Sequence, residues 1–297
     1  MKNFLNLLLM SILSIVINQS FAQETKDIFK YQLGDYEVFL LSDGQQTGNS
    51  SILLDAAPQM QEKYIPQGTF SNAYNTFLIK APGRNILIDA GVGAKLFENL
   101  KAIDLTPEQI DILLLTHLHG DHIGGMMKNG EKIFNRADIY ISQPERDYWM
   151  SDEEMLKKPE NQRDGFKQAQ AVIKAYESQI NYFNPNLTEE KTEILLPGFT
   201  PIAAYGHTPG HTMYMVESND QKLLVWGDLT HAMAIQMPCP EVAVTYDTDK
   251  LQAVESRKRV LKYVSKNKIP VAGMHIAFPA IGSVKADGNG YVFEEAK

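Results

Sequence analysis

Short apolar runs, separated by Gly, Pro and charged residues, predict a chain rich in β-strands. Runs of this length bounded by turn residues are typical of strands buried in a sheet, and the spacing of the runs predicts two sheets with helices on their outer faces. The turn 81–84 joins two of the runs and predicts a hairpin. The predicted strands cover residues 36–41, 75–79, 85–89, 111–115, 138–142 and parts of 192–227.

Helical spacing relates two other sets of apolar residues, Phe166, Ala169, Ile173, Tyr176 and Ile180 in one segment and Leu251, Val254 and Leu261 in the other. A capping box begins at Thr106, with proline at the first helical position, and predicts a short helix that leads into the strand 111–115. The first helical segment falls in a polar insertion, residues 151–191, which is a candidate lid over a binding site.

The N-terminus has the pattern of a secretory signal peptide. Lys2 supplies a positive charge, residues 4–17 are apolar, and Ser20 to Ala22 form a small-x-small cleavage site. The apolar run covers about 14 residues, fewer than the ~20 that a membrane-spanning helix needs. We therefore expect residues 1–22 to be removed, residues 23–297 to form one domain, and the protein to be exported to the periplasm or secreted.

Composition limits the partners. With 44% hydrophobic and 22% charged residues, the chain can bury a large core, and its net charge of -8 offers no basic stripe for nucleic acid. The same charge disfavours stable association with an anionic membrane, so we expect a small neutral substrate. The only cysteine, Cys239, excludes an intramolecular disulfide and is expected to be a buried core residue.

Three histidines and an aspartate follow the apolar run 111–115 within six positions. The whole chain contains only seven histidines, so nearly half of them lie in this one segment. His117 and His119, two positions apart in an extended segment, can face one ion, whereas Asp121 and His122 lie in the following turn and point to a neighbouring site. Glycines at 120, 124 and 125 allow sharp turns and close approach of the backbone. The cluster predicts a metal site.

The H-x-H-x-D-H string resembles the signature of the metallo-β-lactamase superfamily of metallohydrolases. That resemblance requires three later residues in a fixed order, and all three are present. His207 is the second residue of the turn Gly-His-Thr-Pro-Gly-His, which begins at Gly206. Asp228 ends an apolar run at Trp-Gly-Asp, and His275 ends another at Gly-Met-His. The similar segments span roughly residues 70 to 285.

The resemblance implies an α/β fold, an αββα sandwich of two mixed β-sheets with a dinuclear metal site at the sheet edge. It assigns His207 to the ion held by His117 and His119, and His275 to the ion held by Asp121 and His122, with Asp228 bridging the two. The implied cofactor is two Zn²⁺ per chain, whose shared hydroxide attacks the substrate. Structural or orienting contacts are the expected role of His211, because His207 already occupies the ligand position.

An aspartate at the position of Asp228 argues against penicillin cleavage. The segments around Asp228 and His275 resemble methyl parathion hydrolase and secreted N-acyl-homoserine lactone lactonases, and the predicted export favours opening of the acyl-homoserine lactone ring, that is, quorum quenching. The alternatives are a phosphotriester or aryl ester hydrolase and, from another class, a non-catalytic metal-binding protein or an iron oxidoreductase on the same fold. The sequence leaves open whether the chain forms a homodimer.

One residue departs from the lactonase pattern. Well-known lactonases carry a tyrosine three residues after the bridging aspartate, where this chain has His231. We count His231 with Asp121 and Asp228 as a catalytic candidate, with a substrate contact and a structural hydrogen bond as its two alternative roles. The sequence leaves open whether five aromatic residues pack in the core or line the pocket. These residues are Tyr148, Trp149, Tyr182, Phe183 and Phe278.

Overall fold

The computed structural model describes residues 27–190 and 193–297, so the predicted signal peptide lies outside the described residues. In chain order the strands are β1 Ile28–Leu33, β2 Tyr36–Asn49, β3 Leu53–Leu54, β4 Thr69–Ala81, β5 Arg84–Ile88, β6 Ile112–Leu114, β7 Met127–Lys128, β8 Glu131–Lys132, β9 Asp138–Ser142, β10 Ile180–Phe183, β11 Phe199–Ala203, β12 Thr212–Ser218, β13 Gln221–Val225, β14 Ala243–Val244, β15 Val271–Ala272, β16 Ile281–Asp287 and β17 Gly290–Glu295. The helices are α1 Pro58–Tyr64, α2 Leu96–Ala102, α3 Gly120–Ile123, α4 Gln143–Trp149, α5 Asp152–Lys157, α6 Asp164–Tyr176, α7 Met233–Gln236 and α8 Lys250–Asn267.

The N-terminal half of the described chain forms a seven-stranded mixed sheet in the order β1-β2-β4-β5-β6-β9-β10. From β1 through β2 and β4 to β5, neighbouring strands pair antiparallel. From β5 through β6 and β9 to β10, neighbouring strands pair parallel. Parallel pairing requires crossover connections, and these contain the helices that cover the sheet. The parallel strands place their carboxyl ends at one edge.

The C-terminal half forms a six-stranded sheet in the order β11-β12-β13-β15-β16-β17. Only β13 and β15 pair parallel, and the connection between them contains α8. This sheet is therefore also mixed, and β13 and β15 end at the same edge.

The side chains of a strand alternate between its two faces, and this explains how the two sheets and the outer helices pack in layers. In β6, Ile112 and Leu114 pack toward the second sheet, whereas Leu113 packs on the opposite side with Phe166 of α6. Successive side chains of a strand point to opposite faces, so a continuous apolar run fits a strand covered on both sides. Helix α8 contacts β16 of the second sheet. The αββα sandwich predicted from the sequence is confirmed.

Element boundaries differ from the predictions in three places. Strand β2 extends to Asn49 because pairing with β4 continues past an irregularity at Ser42 and Gly44. The capping box at Thr106 begins only a single 3-10 turn, Pro107–Gln109. Helix α6 ends at Tyr176, so Ile180 belongs to β10.

Two residues are exposed although Leu251 was predicted on a packed helix face and Tyr182 in either the core or the pocket wall. Leu251, in the first turn of α8, is 71% exposed, although the remainder of that helix buries Val260, Leu261 and Val264. Tyr182 in β10 is 41% exposed, while Cys239 is buried in a small cluster beside α7, as expected. Across residues 27–190 and 193–297, no helix combines the length and apolarity needed to cross a membrane.

Candidate metal centre

The histidine cluster lies at the edge where strands of both sheets end. β6 leads into residues 116–119, β13 leads to Asp228, and β15 leads to His275. His207 lies in the loop between β11 and β12. Because the carboxyl ends of these strands meet at one edge, residues far apart in the sequence come together there.

The first cluster contains His117, His119, His207 and Asp228. The His119 Nδ1 atom lies 3.0 Å from His117 Nε2 and 2.9 Å from His207 Nε2. The Asp228 Oδ2 atom lies 3.2 Å from His207 Nε2 and 3.6 Å from His117 Nε2. Four potential ligand atoms therefore surround one point.

The second cluster contains Asp121, His122, Asp228 and His275. The His275 Nε2 atom lies 3.0 Å from Asp228 Oδ2 and 3.4 Å from Asp121 Oδ2. The His122 Nε2 atom lies 3.1 Å from Asp228 Oδ1 and 3.8 Å from Asp121 Oδ2. Asp228 belongs to both clusters, which is the placement that the resemblance implies for a bridging residue.

Both clusters fit a metal ion. Tetrahedral ligands at 2.0–2.1 Å from one zinc ion lie roughly 3.3 Å apart, within the range of the distances above. The buried atoms His122 Nε2 and Asp228 Oδ1 have no hydrogen-bond partner despite their separation of 3.1 Å. Buried polar atoms are rarely left unpaired, and a cation between these two would satisfy both.

A second group of side chains fixes the orientation of the imidazoles. The Nδ1 atom of His122 lies 2.7 Å from Asp89 Oδ2, and that of His207 lies 3.1 Å from Asp247 Oδ1. The Nδ1 atom of His275 donates to the carbonyl of Ala73 over 2.8 Å. Contacts of this kind fix the tautomer of a metal ligand and leave Nε2 free for the ion.

Burial and neighbouring charges set the protonation of the cluster. Burial, together with the nearby His207, lowers the pKa of His119 to about 3, and burial holds the pKa of His117 well below its usual value. Burial opposes ionisation of Asp228, yet His122 and His275 hold its pKa well below the usual range. Neutral imidazoles and an ionised carboxylate are the forms that bind a metal, and His117, His119 and Asp228 are held in those forms.

Hydrogen bonds to Asp228 and Asp247 outweigh burial and raise the pKa of His207 to about 9, and the charge of Asp228 likewise raises the pKa values of His122 and His275. Metal binding to these three imidazoles therefore releases protons.

Glu145 of α4 joins the two segments that carry the first cluster. Its buried carboxylate accepts hydrogen bonds at Oε1 from Leu118 N, at 2.9 Å, and from Trp149 Nε1, at 2.6 Å. At Oε2 it accepts from Thr208 Oγ1, at 2.6 Å, and from Gly210 N, at 2.9 Å. One side chain thus connects the loop of His117 and His119 to the loop of His207.

His211 lies outside both clusters and supports the backbone. Its Nδ1 atom donates to the carbonyl of Ala204 over 3.0 Å, and its Nε2 atom accepts from Asp228 N over 2.9 Å. Gly227 has a φ of 59°, and a Cβ there would lie 2.5 Å from His211 Nε2. The turn before Asp228 therefore requires glycine and depends on His211 for its position.

His231 is buried and faces Asp228. Its Nε2 atom lies 3.0 Å from Asp228 Oδ2, and Gln236 Oε1 accepts from its backbone N–H over 2.7 Å. His231 thus makes a structural hydrogen bond with Asp228, and it also lines the cleft above the clusters. Since His231 Nε2 approaches the same oxygen as His275 Nε2, His231 helps to hold the carboxylate in place.

A cleft of about 830 Å³ opens above the two clusters. One wall contains polar residues of β2, including Gln46 and Thr47, and another contains Tyr148, Trp149 and Phe166. Tyr148 and Trp149 are therefore wall residues, whereas Tyr182, Phe183 and Phe278 do not line the cleft. The insertion 151–191 contributes Lys158, Gln162, Gly165 and Phe166 to the wall.

The sequence prediction missed the carboxylates behind the ligands. Asp89 carried a usable signal, because it directly follows the apolar end of β5, much as Asp228 comes soon after the apolar end of β13. Glu145 and Asp247 carried none, since their partners are brought close only by the fold.

The sequence profile of the metallo-beta-lactamase superfamily matches residues 72–265. The anti-Pycsar protein Apyc1 of Paenibacillus sp. (strain J14) is 43% identical over 61 residues, which cover 20% of this chain and 24% of that protein. Cleavage and polyadenylation specificity factor 73 of Drosophila melanogaster is 24% identical over 226 residues, covering 72% of this chain and 32% of that protein. The chain thus matches only a quarter to a third of the length of these relatives.

Two solved structures are similar over nearly their whole length. Hydrolase AbOPH of the beta-lactamase superfamily has a TM-score of 0.84 and 28% identity, covering 93% of this chain and 99% of that one. AidC, a dizinc quorum-quenching lactonase solved with the product N-hexanoyl-L-homoserine, has a TM-score of 0.79 and 26% identity, covering 91% and 97%. From the profile match, the fold and the paired histidine and aspartate clusters, we conclude that the chain belongs to the metallo-beta-lactamase superfamily and is a metal-dependent hydrolase.

Proposed function

We propose that this protein opens the lactone ring of N-acyl-homoserine lactones with two zinc ions. The observation that carries the proposal is the pair of clusters joined by Asp228 at the base of a cleft with one aromatic and one neutral polar wall. Such a cleft suits an amphiphilic ester, with an apolar chain along Trp149 and Phe166 and a polar head at the centre. The similarity to the lactonase AidC over 91% of the chain supports the same substrate class.

In this proposal His117, His119 and His207 would hold one ion, and Asp121, His122 and His275 would hold the other, with Asp228 belonging to both sets. Two bound zinc ions would supply Lewis-acid polarisation of the ester carbonyl and a water nucleophile of lowered pKa. The protein itself holds the ligand side chains in position. Asp89, Asp247 and the carbonyl of Ala73 hold the imidazoles so that both sites stay open toward the cleft.

Several curated relatives are nucleases, among them the endoribonuclease ysh1 of Schizosaccharomyces pombe. A nucleic-acid substrate needs several cations that contact phosphates. Lys158 is the only lysine or arginine among the described residues that line the cleft, and the net charge of the chain is -8. These charges favour a small neutral substrate.

The test is a substrate panel with the zinc-loaded protein. It contains N-acyl-homoserine lactones of several chain lengths, an aryl ester, methyl parathion, a β-lactam and single-stranded RNA. We expect kcat/KM to be highest for the lactones and to depend on chain length. If methyl parathion or the aryl ester is cleaved efficiently and every lactone stays intact, the lactonase assignment is wrong.

A further inference from the structure

One cation lies in the protein interior close to the metal centre. Arg257 of α8 is the only lysine or arginine whose side chain is buried among residues 27–190 and 193–297. Burial lowers the pKa of its guanidinium to about 10, so the group keeps its charge at neutral pH. A buried charge is costly unless it is paired and hydrogen-bonded, so the contacts of Arg257 indicate which groups it holds in place.

Three hydrogen bonds connect the guanidinium of Arg257 to backbone carbonyls on two segments. Its Nε atom donates to the carbonyl of Leu229 over 2.8 Å, and Leu229 directly follows Asp228. Its Nη1 atom donates to the carbonyls of Pro240 and Val242, over 3.0 and 2.7 Å, in the loop between α7 and β14. The planar fork of an arginine can serve both segments at once, whereas a lysine ammonium is a single point charge.

The opposite charge comes from Asp247. Its Oδ2 atom lies 3.8 Å from Arg257 Nη2, and among the described residues no other carboxylate forms an ion pair with this arginine. That separation is too long for a hydrogen bond, so the contact is an ion pair, and burial of both groups leaves it weakly screened. The Oδ1 atom of Asp247 lies 3.1 Å from His207 Nδ1. Asp247 therefore lies between a permanent cation and a candidate metal ligand.

We propose that Arg257 is a positioning residue of the metal centre, which holds the Asp247 carboxylate against His207 and so keeps His207 Nε2 directed at the first cluster. A carboxylate behind a metal-bound imidazole fixes the tautomer and orientation of the ring, and it can do so only while it is itself held in place. The hydrogen bond from Val244 N to Asp247 Oδ2, at 3.0 Å, adds a second contact to the same carboxylate. This inference rests on the zinc centre of the proposed function and not on the lactone substrate.

A double-mutant cycle separates this role from general support of the fold. Zinc affinity is measured by competition with a chelator for wild type, Arg257→Gln, Asp247→Asn and the double variant, each as the full chain. We expect each single change to weaken zinc binding by roughly 10- to 100-fold, the usual effect of losing a partner behind a metal ligand. The double variant should bind zinc no more than about twofold more weakly than Asp247→Asn, because Arg257 acts through Asp247 and the effects of residues in contact do not add.

Three further variants complete the test. Arg257→Lys keeps a charge beside Asp247 without the planar fork, so it should regain most of the zinc affinity lost in Arg257→Gln even if urea unfolding shows a less stable fold. Arg257→Met, whose apolar chain needs no charged partner, replaces Arg257→Gln in the cycle if circular dichroism shows that Arg257→Gln is unfolded. The control is Arg259→Gln on the same helix, where the guanidinium also donates to two carbonyls, those of Leu187 and Ala203, and zinc affinity should match wild type.

The proposal is overturned if the two single losses of zinc affinity multiply in the double variant, because Arg257 would then act independently of Asp247. It is also overturned if Arg257→Gln binds zinc as tightly as wild type, or if Arg257→Lys regains none of the lost affinity. Failure of the proposed function gives a different result. A wild type that binds fewer than two zinc ions contradicts the zinc centre and this inference together, whereas a wild type that binds two ions and leaves lactones intact contradicts only the substrate, and the zinc affinities still decide the role of Arg257.

Discussion

Replacing Glu145 with glutamine tests how the metal site is held together. All four partners of the Glu145 carboxylate are donors, two at each oxygen. An amide has only one acceptor oxygen, so one side of the glutamine must present N–H groups to former donors. The less costly orientation points the amide nitrogen at Thr208, whose hydroxyl can turn and accept, and leaves the N–H of Gly210 unpaired.

The expected loss of stability follows from the one buried N–H that the substitution leaves unpaired. An unpaired buried N–H costs about 1–3 kcal/mol, and hydrogen bonds to a charged group contribute roughly 1 kcal/mol more than neutral ones. We therefore expect Glu145→Gln to lower the free energy of unfolding by roughly 2–5 kcal/mol. Because the two ligand loops lose a shared partner, zinc affinity should also fall by roughly 10- to 100-fold.

Urea unfolding monitored by tryptophan fluorescence gives the first quantity, and competition with a zinc chelator gives the second. The matched control is Glu153→Gln on α5, where the exposed carboxylate pairs only with Lys157 and the change should leave stability and zinc affinity as they are. If Glu145→Gln behaves like this control, the carboxylate does not hold the loops and the reasoning is refuted.

Three further predictions concern the centre itself. Asp228→Ala should lose bound zinc and all hydrolysis while circular dichroism stays that of the folded sandwich; two retained ions with normal turnover would rule out the bridging role. His207→Ala should lose one ion and nearly all activity, whereas His211→Ala should keep both ions and lose roughly 10- to 100-fold in activity, since it only positions Asp228. Equal loss of zinc in both variants would contradict this distinction. Chelation of the ions should lower the free energy of unfolding by about 2.7 kcal/mol for each ion, or about 5 kcal/mol for two, relative to protein at a free zinc concentration 100 times the Kd of each site, and calorimetry with and without chelator measures it.

The sequence was most informative where local pattern and chemistry coincide. The candidate ligands could be found because His117, Asp228 and His275 each follow a short apolar strand, and strands that end at one edge bring their following residues together. Each such signal lies within about ten residues, so it needs no knowledge of the fold.

Positions decided by long-range contacts could not be found in this way. Glu145 meets Thr208 across 63 positions, and no local pattern marks it as a buried carboxylate. The polar end of β2 does not alternate in hydrophobicity, since its side chains face the cleft and backbone pairing with β4 holds it in the sheet. The contact of His231 with Asp228 depends on the backbone turn into α7, where the Gln236 side chain accepts from the backbone N–H of His231.

The most direct test of the central claim is to titrate zinc into the metal-free protein while following the opening of N-hexanoyl-L-homoserine lactone. Two sites sharing Asp228 should act as one centre, so lactonase activity should rise with added zinc and reach its maximum at two equivalents per chain. Maximal activity at one equivalent would contradict the dinuclear centre, and absence of lactone opening at two bound equivalents would contradict the proposed function.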